Sequence, residues 1–307
     1  MRNMTSHLLY SGKNLILILA LSSSLAFSAE RTVGMIDIGH AQLNIEVWKS
    51  NAKDFETIIA LPGSGGDVSR YKYIAPLLAD AGYRVVTVNQ RGIAGSTGEL
   101  GGLSLHDYAA DVAAIIDVLD LRKVHLLGWA AGNRTSRVVA TDFPDKVASI
   151  SLIAAGGLVR ALTEPGELAR LLGEADIPEA EKVQLARRTL FSPDTSDHLV
   201  RNYVRELKYW PNARRSQAQA NRNTPLQQWW AGGNGPMLIV QGEDDKTAPP
   251  ENGRRMKQEF AERITLVNLK GAGHLMGLEK PKETAAGILS FLAKHPITAT
   301  NQPLKSL

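Results

Sequence analysis

Short apolar runs alternate with segments of helical period along most of the chain. From Gly34 to Ser50, Met35, Ile36 and Ile38 and then Leu43, Ile45 and Val47 alternate with polar residues, and Gly39-His40 interrupts them as a hairpin would. Thr57 to Leu61 reads as a buried strand and runs into the loop Pro62-Gly63-Ser64-Gly65-Gly66. Tyr71 to Ala81 predicts a helix and Tyr83 to Val88 the next strand, ended by Asn89-Gln90-Arg91-Gly92. Ser104 can cap a helix reaching Leu121, in which Ala109, Val112, Ile115, Ile116 and Leu119 recur at helical spacing. Strands over Val124–Leu127 and Val147–Ile153 flank a helix over Asn133–Phe143. Strand-like patterning then stops until Pro236. It resumes with a strand at Met237–Val240, a helix at Glu251–Phe260, a strand at Ile264–Leu269 and a helix at Lys282–His295.

Strands alternating with helices predict an α/β fold: a mostly parallel twisted sheet with helices on both faces. Ligands of such sheets bind beyond the carboxyl ends of the strands. The glycine loop at Gly63, the stretch Gly128–Gly132, Asp245 and His274 all fall at such ends, so they converge on one predicted crevice.

Composition narrows the class. The chain has 307 residues, 44% hydrophobic, with a formal net charge of +4. Residues 1–29 hold Arg2, Lys13 and no acid; subtracting those two charges leaves +2. That is too weak to argue for nucleic acid or a charged membrane surface as a partner. No cysteine is present, which excludes disulfides, a thiol nucleophile, a thiolate metal site and a cysteine-linked lipid.

Residues 1–29 have the pattern of a signal peptide: positive charge, the aliphatic core Leu15–Leu21, and Ala26-Phe27-Ser28 as a cleavage site. The apolar run is shorter than the ~20 residues of a membrane span, so no stable span is expected after cleavage, and the protein is expected to be periplasmic or secreted. The expected organisation is a core over 30–157, a helical cap over 158–235, a second core part over 236–295 and a loose tail over 296–307. Pro165, Pro178, Pro193 and Pro211 punctuate the short helices of the cap. Trp210, Trp229 and Trp230 there either line an apolar pocket or pack cap onto core. The basic run Arg201, Arg205, Lys208, Arg214, Arg215 and Arg222 is either a solvated face or a seat for an acidic substrate.

Gly128-Trp129-Ala130-Ala131-Gly132 stands between a strand and a helix, the context of a nucleophile elbow, G-x-S-x-G. Its glycines serve a turn where strand and helix pack too closely for a Cβ. The middle residue is Ala130, which has no oxygen with which to attack a carbonyl. The alanine is a natural replacement, an engineered serine-to-alanine change, or a sign that this is not the elbow. Were the elbow real, Ala130 would have positive φ. Ser64 and Ser96 are the nearby hydroxyls, each otherwise a turn residue.

Taken in order, Leu61–Gly66, Asn89–Ser96, the elbow, Gly242-Glu243-Asp244-Asp245 and Gly271-Ala272-Gly273-His274 resemble the α/β-hydrolase family over roughly residues 34–295. Trp129–Arg134 further resembles a bacterial subset that reads Ala-x-Gly-Asn-Arg there, to which no activity attaches. The resemblance implies a nucleophile position at Ala130, an acid at Asp245 (Asp244 being the competitor) and a general base at His274. It also implies an oxyanion hole from the backbone N–H groups of Ser64 and Ala131. His274 should then bond Asp245 through one ring nitrogen and face Ala130 with the other. The expected function is an exported hydrolase-like enzyme working on a small carbonyl or ester substrate without a covalent serine intermediate. The alternatives are a non-catalytic ligand-binding or sensor protein on the same fold, as in some hormone receptors, and an altered serine esterase. No Rossmann fingerprint, P-loop or zinc-like histidine spacing is present, so no cofactor or metal is implied. The expected partner is a small molecule under the cap; the sequence leaves the oligomeric state open.

Overall fold

A computed structural model describes residues 29–50, 52–164, 166–174 and 176–297. The expected signal segment (all but Ala29), most of the expected tail and Pro165 lie outside the described residues.

Eight strands form one sheet in the order β1-β2-β4-β3-β5-β6-β7-β8: β1 (Arg31–Asp37), β2 (Gln42–Trp48), β3 (Thr57–Leu61), β4 (Arg84–Val88), β5 (Val124–Trp129), β6 (Val147–Ile153), β7 (Met237–Gly242) and β8 (Ile264–Leu269). β2 pairs antiparallel with β1 and β4, and the rest of the sheet is parallel. Gly39, at φ 89°, makes the β1–β2 turn that a side chain would resist.

Every residue of β3, β4, β5 and β7 is buried, which is why these strands read as continuous apolar runs rather than alternating ones. Their side chains divide by strand parity. Ile59, Leu61, Leu126, Leu152 and Ile239 join the core under α2 (Leu105–Val118) and α3 (Ala131–Asp142). Ile58, Ala60, Leu127, Ile153 and Leu238 join the opposite core, under α1 (Ala75–Asp80) and α10 (Pro281–Leu292). Ser104 caps α2 in a reciprocal box with Asp107.

The expected helix over Tyr71–Ala81 is shorter. Val68–Tyr71 is a 3-10 turn, and the α-helix begins at Ala75, where Pro76 supplies the fixed φ and missing N–H of a first turn. The expected helix from Lys282 to His295 runs from Pro281 and ends at Leu292, ahead of Pro296. The expected elbow helix begins two residues early, at Ala131.

Between β6 and β7 the chain forms α4 (Glu167–Ala169), a π-type turn over Arg170–Glu174, α5 (Glu179–Leu190), α6 (Asp197–Glu206) and α7 (Pro211–Asn223). Two more helices, α8 (Glu251–Glu259) and α9 (Met276–Glu279), precede α10. Leu168, Leu172, Leu190, Tyr203 and Gln217 of the β6–β7 insertion form one wall of a cavity whose other wall holds Gly63, Ala130 and His274.

Candidate active site

The turn after β5 is as tight as its glycines require. A Cβ on Gly128 would come within 2.4 Å of Asn133 Cα, and one on Gly132 within 2.1 Å of the Leu61 carbonyl oxygen. Ala130, between them, sits at φ 50°, ψ −109°, a conformation costly for any residue with a Cβ. Strand, strained turn and helix are therefore all present around a methyl group. Trp129 anchors the turn from behind: its Nε1–H donates to the His274 carbonyl at 3.1 Å, and its ring meets Tyr71 edge-on at 5.8 Å.

His274 follows β8, and Asp245 follows β7. His274 Nδ1 lies 2.9 Å from Asp245 Oδ2 and 3.1 Å from Oδ1, so the carboxylate accepts the ring N–H. Asp245 is buried, and its Oδ1 also accepts from the backbone N–H groups of Thr247 (2.9 Å) and Ala248 (2.7 Å). Asp244, the rival acid, instead accepts from the Ser192 hydroxyl at 2.6 Å. His274 Nε2 has no hydrogen-bond partner among the described residues, and His274 and Ala130 line the same cavity.

Glycines and one glutamate hold the histidine loop. A Cβ on Gly242 would fall 2.4 Å from the carbonyl oxygens of Ala272 and Gly273, which brings the two strand ends together. Glu279 Oε2 accepts from Gly273 N–H at 2.9 Å, while Oε1 accepts from Ser192 N–H at 2.8 Å and the Thr195 hydroxyl at 2.5 Å. Burial raises the Glu279 carboxyl above its ordinary range despite these donors. Nothing in the sequence pattern pointed to Glu279.

Ser64 and Ala131 both line the cavity. Ala131 opens α3, so its N–H has no intrahelical acceptor. Ser64 N–H likewise has no partner among the described residues. A Cβ on Gly63 would touch Ala130 Cβ at 3.5 Å, so the two loops meet beside the methyl group. Gln217 of α7 fixes the glycine loop: its Oε1 accepts from Gly65 N–H at 2.8 Å and its Nε2 donates to Gln90 Oε1 at 2.8 Å. Gln217 was not legible as functional, because its partners are more than a hundred residues away.

The remaining candidates sort cleanly. Ser96 is a turn residue: its buried hydroxyl donates to the Asn89 carbonyl and accepts from Asn44 N–H. Trp229 and Trp230 are buried against Arg137, with ring centroids 4.6 and 5.4 Å from its guanidinium. Trp210 is half-buried and its N–H donates to the Gly65 carbonyl at 3.0 Å. Of the basic run, Arg201, Arg205, Lys208, Arg215 and Arg222 are exposed, whereas Arg214 reaches the cavity wall. Among the described residues no group of three or more His, Asp and Glu side chains is placed to hold a metal ion, and no helix is long and apolar enough to cross a membrane.

The whole cavity measures about 450 Å³, the size of a small-molecule pocket. The chain is similar in sequence and fold to known proteins. A dihydrolipoyllysine-residue acetyltransferase component of an acetoin cleaving system from Pseudomonas putida is 28% identical over 243 residues, 78% of this chain; the chain spans 64% of that relative's length. A 2-hydroxy-6-oxononadienedioate/2-hydroxy-6-oxononatrienedioate hydrolase of Escherichia coli is 26% identical over 269 residues, covering 78% of this chain and 88% of the relative. The crystal structure of the enol-lactonase from Burkholderia xenovorans superposes with a TM-score of 0.71 at 18% identity, over 85% of this chain and all of the other. The profile of the alpha/beta hydrolase family matches residues 58–287. With that match spanning strands β3 to β8 and both His274 and Asp245, this chain belongs to the alpha/beta hydrolase family.

Proposed function

We propose that this protein is an exported hydrolase-like enzyme that acts on a small carbonyl or ester substrate with His274 and Asp245, and without a covalent serine intermediate. The observation that carries the reading is the His274–Asp245 pair at 2.9 Å, whose free ring nitrogen shares a cavity with Ala130 and the N–H groups of Ser64 and Ala131. His274 Nε2 takes a proton from a water molecule, and the resulting hydroxide attacks the substrate carbonyl. Asp245 holds the ring tautomer and stabilises the imidazolium. Ser64 and Ala131 donate to the developing oxyanion, a role that depends on backbone alone and so is unaffected by the loss of a serine side chain. His274 then returns the proton to the leaving group. The Escherichia coli relative, named as a hydrolase of a dienedioate, supports hydrolysis of a small carbonyl compound.

The methyl group of Ala130 favours a second reading, a capped ligand-binding protein that turns nothing over. Turnover of an ester and enol-ester panel by the wild type and His274→Ala separates the two. The enzyme reading expects wild-type turnover and a loss of about 10²–10⁴-fold in the variant. Wild-type binding without turnover establishes the second reading. Export expects the mature protein outside the cytoplasm without its first 28 or 29 residues.

A further inference from the structure

The charge of the cavity is one-sided. Arg70, Arg134, Arg160 and Arg214 lie on its wall, and among the described residues no aspartate or glutamate does. Arg134 is four residues beyond Ala130, one turn along α3, and so shares the elbow's side of that helix. Its Nε–H is buried without a hydrogen-bond partner among the described residues, and its guanidinium stands 5.9 Å from the Trp229 ring centroid. A buried donor left unpaired is costly, so an Nε–H of this kind is normally matched by an acceptor, while Arg134 as a whole is half-buried.

Arg137, the next turn behind, adds to the positive field. It is fully buried and donates to Asn133 Oδ1 at 2.8 Å and to the Gly156 carbonyl at 2.6 Å, neither of which carries a charge. Burial, with the charge of Arg134 beside it, pushes the Arg137 guanidinium down to about 9, so it remains protonated at neutral pH. Two cations therefore lie over Trp229 with no acid among the described residues bonded to either. Arg70 flanks the glycine loop across the cavity. Its guanidinium lies 4.8 Å over the Tyr203 ring, and a Cβ on Gly66 would meet its Nε at 3.4 Å. Tyr203 lines the cavity too, and its hydroxyl is buried without a partner among the described residues.

We propose that this cavity binds a small molecule carrying an anionic oxyacid group, a carboxylate or a phosphate, and that Arg134 holds that group one helical turn from Ala130. The planar guanidinium fork matches either group. The proposal rests on the reading that the cavity is the substrate site, and it adds what the substrate must carry: a charged group at the Arg134 end and a reacting carbonyl at the His274 end.

The test is isothermal titration calorimetry on the mature protein with glutarate, inorganic phosphate and the neutral glutaramide as probes. At least one anion should bind tenfold or more tightly than glutaramide, and the tighter anion names the group. Arg134→Gln should weaken that anion at least tenfold, and Arg134→Lys should recover part of the loss. Arg222→Gln, an exposed arginine of α7 away from the cavity, should leave it unchanged. Circular dichroism checks that each variant is folded; should Arg134→Gln fail to fold, Arg134→Lys takes its place, with a smaller but measurable loss. Equal binding of glutaramide, no binding of either anion, or anion binding indifferent to Arg134 would overturn the proposal. Because the readout is binding, an anion held by a protein that turns nothing over leaves the proposal standing and removes the catalytic reading. Turnover of neutral esters without anion preference does the reverse.

Discussion

Replacing Asp245 separates its two jobs. Its Oδ1 satisfies the half-buried N–H of Thr247 and the buried N–H of Ala248, and the carboxylate as a whole orients His274. In Asp245→Asn the amide oxygen can keep the two backbone donors, while the amide NH₂ turns toward His274 Nδ1 and donates to it. The ring proton then moves to Nε2, which becomes a donor rather than a base. Turnover should fall about 10⁴-fold, the size of a wrong-tautomer effect, with little change in stability. Asp245→Ala removes the acceptor altogether and leaves the buried Ala248 donor unpaired at about 1–3 kcal/mol, the half-buried Thr247 donor losing less. A protein of this size loses roughly 2–4 °C of Tm per kcal/mol, so Asp245→Ala should melt at least about 2 °C lower. The assay is kcat/KM on an ester that the wild type hydrolyses, beside thermal melts of both variants. An Asp245→Asn protein with unchanged Tm and turnover within tenfold of wild type would refute the role given to Asp245.

Two further outcomes follow from the packing and the charges. Gly132→Ala would place a Cβ 2.1 Å from the Leu61 carbonyl; such overpacking costs about 1–3 kcal/mol or more, and a melt within 1 °C of wild type, by an accuracy of roughly that size, would contradict the geometry. His106 Nδ1 and Nε2 face Asp142 at 2.6 Å and Gln228 at 2.9 Å, and these hydrogen bonds raise its pKa. A histidine raised in the folded state stabilises fully below its unfolded pKa and loses that contribution as pH rises through the folded value. The Tm advantage of wild type over His106→Gln should therefore be largest below about pH 6.5 and shrink at higher pH, and a constant difference would count against the pairing.

Much of this site is visible in the sequence because local constraints write it there. Gly128 and Gly132 exist to admit Asn133 and Leu61 at distances a Cβ forbids, so the elbow is legible without its serine. The central strands are legible because burial on both faces demands apolar β-branched runs, and β3, β6 and even the edge strand β8, of which only Ile264 is buried, match the expected bounds residue for residue. What stays hidden depends on contacts between distant segments. Gln217 reaches Gly65 and Gln90 from α7, and Glu279 reaches back to Ser192 and Gly273. Arg134 and Arg137 look like ordinary helix charges until Trp229 and Trp230 of the insertion close over them. A basic run such as 201–222 says nothing about which member turns inward; only the placement of α7 sends Arg214 to the cavity.

The central claim is that a hydrolase site stands intact around a missing nucleophile, and fluorophosphonate labelling of Ala130→Ser tests it most directly. These probes need a serine Oγ activated by a histidine, so the native protein, with a methyl group there, should not react. In Ala130→Ser the new hydroxyl should stand about 2.6–3.2 Å from the imidazole, with Ser64 and Ala131 N–H groups ready for the oxyanion. Labelling of Ala130→Ser, and its loss in the double variant with His274→Ala, is the result the account predicts. No labelling of a folded Ala130→Ser protein, or labelling of the native protein, would contradict it.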